Sequence, residues 1–70
     1  MRLKEIREDN NKSQKQIAEI LNIKQNTYSQ YETETRQIPI KALIVLAKYY
    51  NVSVDYILGL TDSDEPYPIK

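Results

Sequence analysis

Apolar residues recur along this chain in short bursts of helical spacing, and polar breaks separate the bursts. Leu3 and Ile6 lie three apart and predict a first helix over residues 2–10. Arg2, Lys4 and Arg7 alternate with Glu5, Glu8 and Asp9 on its exposed face. Asn10-Asn11-Lys12 breaks the pattern, and Ser13 restarts it. A serine at a helix start accepts a hydrogen bond from a free first-turn amide. Ile17, Ala18 and Leu21 then form one apolar face. Asn22 tolerates the left-handed conformation that ends a helix, so the second helix is expected to stop there. Ile23 plugs the turn, and a third helix runs from Gln25 to Glu32 with Tyr28 and Tyr31 on its apolar side.

Residues 33–39 have no helical period and end on Pro39, so they read as a loop. Pro39 suits the first turn of a fourth helix. Ile40, Leu43, Ile44, Leu46, Ala47 and Tyr50 recur in that helix at three- and four-residue spacing. Leu43, Leu46, Ala47 and Tyr50 are expected deepest in the core. Asn51 caps this helix, and Val52 follows as an apolar plug. Ser53 opens a short fifth helix, Val54 to Leu58, with Asp55 in its first turn and Gly59 at its end. The expected fold is all-α: five short helices in one domain over residues 1–60. Two prolines and three acids among the last eleven residues make 61–70 an acidic tail.

Composition narrows the function. Seventy residues allow one domain, which buries only about 60% of its unfolded surface. The absence of cysteine removes disulfides and thiolate metal sites; the absence of histidine removes the commonest general base and metal ligand. One glycine leaves no Gly-rich phosphate loop. Serines and threonines stand where caps and polar faces need them, and the acids lie on exposed faces or in the tail. No enzymatic activity, cofactor, metal or small-molecule ligand is expected. No apolar run reaches membrane-spanning length and no signal-peptide core begins the chain, so a soluble cytoplasmic protein is expected. Formal net charge is zero, yet residues 1–50 carry nine Lys/Arg against six Asp/Glu, and residues 51–70 carry one against four. The first half is mildly basic and the tail acidic.

The polar face of the third helix is unusual. Gln25, Asn26, Ser29 and Gln30 are neutral and able to hydrogen-bond, where a solvated helix face ordinarily carries Lys and Glu. Glutamine and asparagine are the side chains that pair with adenine edges in a DNA major groove. An ordinary polar surface that happens to lack charge is the alternative.

The order and spacing of residues resolve more than that face alone. Ser13-Gln14-x-x-Ile17-Ala18, then Leu21-Asn22-Ile23, then Thr27-Tyr28-x-x-Tyr31-Glu32 resemble the helix-turn-helix of the lambda-repressor-like, Cro-type family, also called the XRE family. Arg36, Ile38-Pro39 and the run Leu46 to Gly59 extend the resemblance over roughly residues 2–60. It implies a DNA-binding transcriptional regulator, acting as a repressor, whose third helix enters the major groove. Gln25, Asn26, Ser29 and Gln30 are then the base readers. Gln14 matches a glutamine that binds phosphate and braces the reading side chains, and Lys24, Thr27 and Arg36 are the other phosphate contacts. Lys12 and Lys15 add electrostatic attraction or are simply solvated. The resemblance also implies an Arg7–Glu32 ion pair tying the first helix to the third. Lys24 stands where the family often has Ser or Thr, and Glu34 where it usually has Gly.

Four base-reading side chains on one small domain rarely give specificity, so a homodimer on a palindromic double-stranded operator is expected. Val54, Tyr56, Ile57 and Leu60 are candidates for the dimer surface or, equally, for the core; Tyr49 is a further dimer-surface candidate. The alternative function is a protein-interaction module, such as an antitoxin or adaptor, which the zero net charge and Glu34 favour slightly.

Overall fold

The structure is a computed structural model and describes residues 1–66; the Tyr67–Lys70 end of the expected tail lies outside the described residues. Five helices follow one another: α1 (Leu3–Asp9), α2 (Gln14–Leu21), α3 (Gln25–Glu32), α4 (Ile40–Tyr50) and α5 (Val54–Leu58). No strand occurs among the described residues. The all-α, five-helix expectation is met.

Local chemistry sets the boundaries. Ser13 Oγ accepts from the Gln16 amide at 3.1 Å, and Gln16 Oε1 accepts from the Ser13 amide at 2.8 Å. This reciprocal capping box satisfies two otherwise free donors at the start of α2. Asn22 and Asn51 end α2 and α4 in the left-handed region, at φ 57° in both. Ser53 Oγ accepts from the Tyr56 amide at 3.0 Å and starts α5, and Gly59 ends it at φ 85°. Pro39 departs from expectation. It precedes the fourth helix in extended conformation, ψ 149°, and the first turn begins at Ile40.

The core joins Leu3 and Ile6 of α1, Ile17 and Ala18 of α2, the two tyrosines of α3, Leu43, Leu46 and Ala47 of α4, and Ile57 of α5. Ile38 adds to it from the loop. Each fully buried aliphatic side chain contributes about 1.5–3 kcal/mol. α2 packs on α3, α1 on α3, and α4 on α5, so α3 is held from two sides.

Burial corrects one expectation and decides an alternative left open. Tyr50 is only half-buried: it packs against the edge of the core with its hydroxyl buried, and its ring meets the Tyr49 ring edge-on at 5.2 Å. Ile57 is fully buried and belongs to the core, which removes it from the candidate dimer surface. Val54 and Tyr56 are half-buried, whereas Leu60 is 74% exposed. Ile40 and Ile44 share the exposed side of α4 despite their helical spacing with the core residues.

Arg2 lies on no open face. Its backbone amide donates to the Ile57 carbonyl at 2.8 Å, and its Nη1 donates to the carbonyls of Tyr56 and Thr61, each at 2.7 Å. Nη2 reaches Asp62 Oδ1 at 2.9 Å, and the guanidinium stacks 4.5 Å from the centre of the Tyr56 ring. One side chain thus ties the start of α1 to the end of α5 and the residues beyond it.

Candidate nucleic-acid interface

The α2–turn–α3 unit is fixed by backbone bonds before any side chain on its surface matters. The Asn22 amide donates to Glu19 O at 3.1 Å, and the Ile23 amide to Ala18 O at 3.0 Å. This closure needs the positive φ at Asn22, a conformation that asparagine reaches at little cost. Ile23 packs against the core from within the turn. Lys24 is the N-cap residue of α3, in extended conformation and without a side-chain cap bond. Its ammonium cannot accept from the free amides, so these stay open to another acceptor.

Tyr28 and Tyr31, 0% and 5% exposed, anchor the inner side of α3. Burial, reinforced by the nearby Glu32 charge, pushes the Tyr28 hydroxyl far above its ordinary pKa, so it stays neutral. The three longest polar side chains of the outer side, Gln25, Asn26 and Gln30, are exposed, while Ser29 and Thr27 are half-buried.

The end of α3 is pinned by a charged network. Arg7 Nε donates to Glu32 Oε2 at 2.6 Å and Nη2 to Oε1 at 3.2 Å, a two-point pair. The side chains are 11% and 3% exposed. Arg7 Nη1 also donates to the Lys12 carbonyl at 2.9 Å, and Gln14 Nε2 to Glu32 Oε1 at 3.0 Å. One buried carboxylate therefore joins α1, α2 and α3. Its burial favours the neutral form, but the hydrogen bonds from Arg7 and Gln14 outweigh this and hold its pKa below the ordinary glutamate value. The same bond raises the Arg7 pKa.

Beyond α3 the chain turns back on itself. Glu34 adopts φ 60°, the left-handed region that a glycine would enter freely. Its carboxylate meets the Met1 ammonium at 3.3 Å. The amides of Thr35 and Arg36 then donate to the Gln30 carbonyl, at 3.0 and 3.3 Å. Arg36 Nε donates to Gln30 Oε1 at 2.7 Å.

Among the expected site residues, Arg7, Gln14 and Glu32 thus form one cluster and Gln30 and Arg36 another. Gln25, Asn26 and Lys24 stand exposed near the start of α3, and Thr27 and Ser29 lie between them and the Gln30 cluster. The Gln14–Glu32 and Gln30–Arg36 bonds had no signal in the residue pattern. One N–H of Gln14 is committed to Glu32, and the amide's second N–H is its remaining donor. Among the described residues no helix is long and apolar enough to cross a membrane, and no acidic cluster fit for a metal ion occurs.

A helix-turn-helix family model matches residues 3–57, which include α2, the turn and α3. Over 65 residues the chain is 43% identical to YobD of Bacillus subtilis, described as an uncharacterized HTH-type transcriptional regulator; the match covers 93% of this chain and 58% of the relative. It is 47% identical over 58 residues to the HTH-type transcriptional regulator ImmR of the same organism, covering 83% of this chain and 46% of that protein. A third relative there, the HTH-type transcriptional regulator AnsR, is 33% identical over 67 residues. The chain spans about half the length of the curated relatives it matches. No solved structure matches it significantly. A turn closed by Asn22, a third helix anchored by buried tyrosines, and these similarities together assign the chain to the XRE-type helix-turn-helix family.

Proposed function

We propose that the protein is a sequence-specific double-stranded DNA-binding transcriptional regulator, acting as a repressor, with α3 as the helix that enters the major groove. The observation that carries this reading is the division of α3. Its inner side is buried on Tyr28 and Tyr31, and its outer side offers Gln25, Asn26 and Gln30 to solvent. A helix rigidly mounted by one side, with uncharged donors and acceptors on the other, suits direct readout of base edges. The description of three relatives as transcriptional regulators supports it.

Gln25, Asn26, Ser29 and Gln30 read bases in this proposal. Lys24, Thr27, Arg36 and the free N–H of Gln14 meet phosphate, and the Arg7–Glu32 pair sets the angle of α3. Residues 1–60 form the reading unit, and 61–70 a tail outside it. Two copies bind a palindromic operator with half-sites about 34 Å apart. Lys24 and Arg36 of two protomers neutralise about four phosphates, so log affinity falls against log salt with a slope of about −3.6. Fluorescence anisotropy on a selected duplex across a salt series tests this. Binding that ignores salt contradicts phosphate-guided recognition.

A further inference from the structure

We propose that Gln30 and Arg36 act as one donor-only reader, which selects guanine where a lone glutamine would select adenine. The inference rests on the DNA-reading function proposed above and deepens it. A free glutamine amide reads adenine bidentately: its oxygen accepts from N6–H and its NH2 donates to N7. Here Arg36 Nε, 2.7 Å from Gln30 Oε1, changes what the amide offers. A guanidinium N–H only donates, so the atom facing it is the amide oxygen, and the NH2 group is the free end.

The pairing is built by the backbone as well. The amides of Thr35 and Arg36 both donate to the Gln30 carbonyl, which folds the loop back over that residue. The reversal runs through Glu34 in its left-handed conformation. Glu34 spends its carboxylate on the Met1 ammonium, and no carboxylate among the described residues forms an ion pair with Arg36. The positive charge thus stays beside the amide oxygen and disfavours the approach of another N–H, such as adenine N6–H. What the pair presents to a base edge is donors alone: the two N–H of the Gln30 amide, with the Arg36 charge beside them and its Nη groups left for phosphate. Guanine alone offers two adjacent acceptors, N7 and O6, in the major groove. Adenine sets a donor beside N7, thymine a methyl beside O4, and cytosine offers a donor.

Binding-site selection from a random duplex pool tests this with wild type, Gln30→Ala and Arg36→Ala. Both residues are exposed, so neither substitution opens the core. Gln30→Ala identifies the half-site position that depends on Gln30. Wild type is expected to hold guanine there, and Arg36→Ala to lower the guanine-over-adenine preference about tenfold while leaving other positions unchanged. Replacing that guanine by 7-deazaguanine is expected to weaken wild type about tenfold and Arg36→Ala less than about twofold. Adenine at that position in wild type, an unchanged preference in Arg36→Ala, or a selected site indifferent to Gln30→Ala overturns the inference alone. A pool with no enriched site refutes the DNA-reading function, and this inference with it.

Discussion

Replacing Arg7 by methionine tests whether the charged network truly fixes α3. In the protein Arg7 holds Glu32 at two points, 2.6 and 3.2 Å, with the carboxylate side chain only 3% exposed. Removing the guanidinium leaves a buried carboxylate with one amide donor, Gln14, and frees the Lys12 carbonyl. Breaking a buried pair from one side costs about 3–5 kcal/mol, because the surviving charge is uncompensated. A chain of this length has a total stability of about 4–10 kcal/mol. Arg7→Met should therefore remove roughly half of it at pH 7, lowering the thermal midpoint by about 12–24 °C for a 3 kcal/mol loss. Urea unfolding followed by circular dichroism measures the loss directly. The double variant Arg7→Met/Glu32→Leu removes both charges and fills the site with apolar atoms, so it should recover at least half of the single variant's loss. A single-variant cost below about 1 kcal/mol refutes the reasoning, since that is what a solvated surface pair yields. So does a double variant whose costs simply add.

Three further outcomes follow from the same geometry. Glu32 has a folded-state pKa held below its ordinary value of 4.5, so its contribution is present above that pH and is lost as pH falls through the folded value. Acid titration of stability should show this decline below about pH 4.5, and Glu32→Gln should flatten that part of the curve. Glu34→Gly should raise the thermal midpoint by a few degrees. It relieves about 1 kcal/mol of left-handed strain, against an exposed N-terminal ion pair of small worth; a lower midpoint would show that the carboxylate contact outweighs the strain. Ser13→Ala should cost about 1 kcal/mol by removing the oxygen that accepts the Gln16 amide, and unchanged unfolding would mean the cap carries no stability.

The helices were legible in the sequence because their ends are written in residues with a physical job. Ser13 and Ser53 carry hydroxyls that accept first-turn amides, and Asn22, Asn51 and Gly59 enter the left-handed region cheaply. Depth in the core was less legible. Spacing put Tyr50 on the apolar face of α4 but did not tell that its ring sits only half-buried at the edge of the core. Nor did it tell that α5, only one and a half turns long, buries Ile57 completely. The two sides of α3 were legible from residue type. The bonds made by its outer side were not, because Gln30 meets Arg36 only through a loop path that depends on Glu34 leaving its preferred conformation. Arg2 was misplaced for a related reason: a charge in an alternating run looks solvated, and its partners, Tyr56, Thr61 and Asp62, lie more than fifty residues away.

The central claim is that α3 reads bases, with Gln25 at its start meeting an edge in each half-site. Binding-site selection from a random duplex pool at about physiological salt, with wild type and Gln25→Ala side by side, tests it most directly. The account predicts a palindromic consensus for wild type that loses information at one position per half-site in the variant. Failure of wild type to enrich any sequence contradicts it.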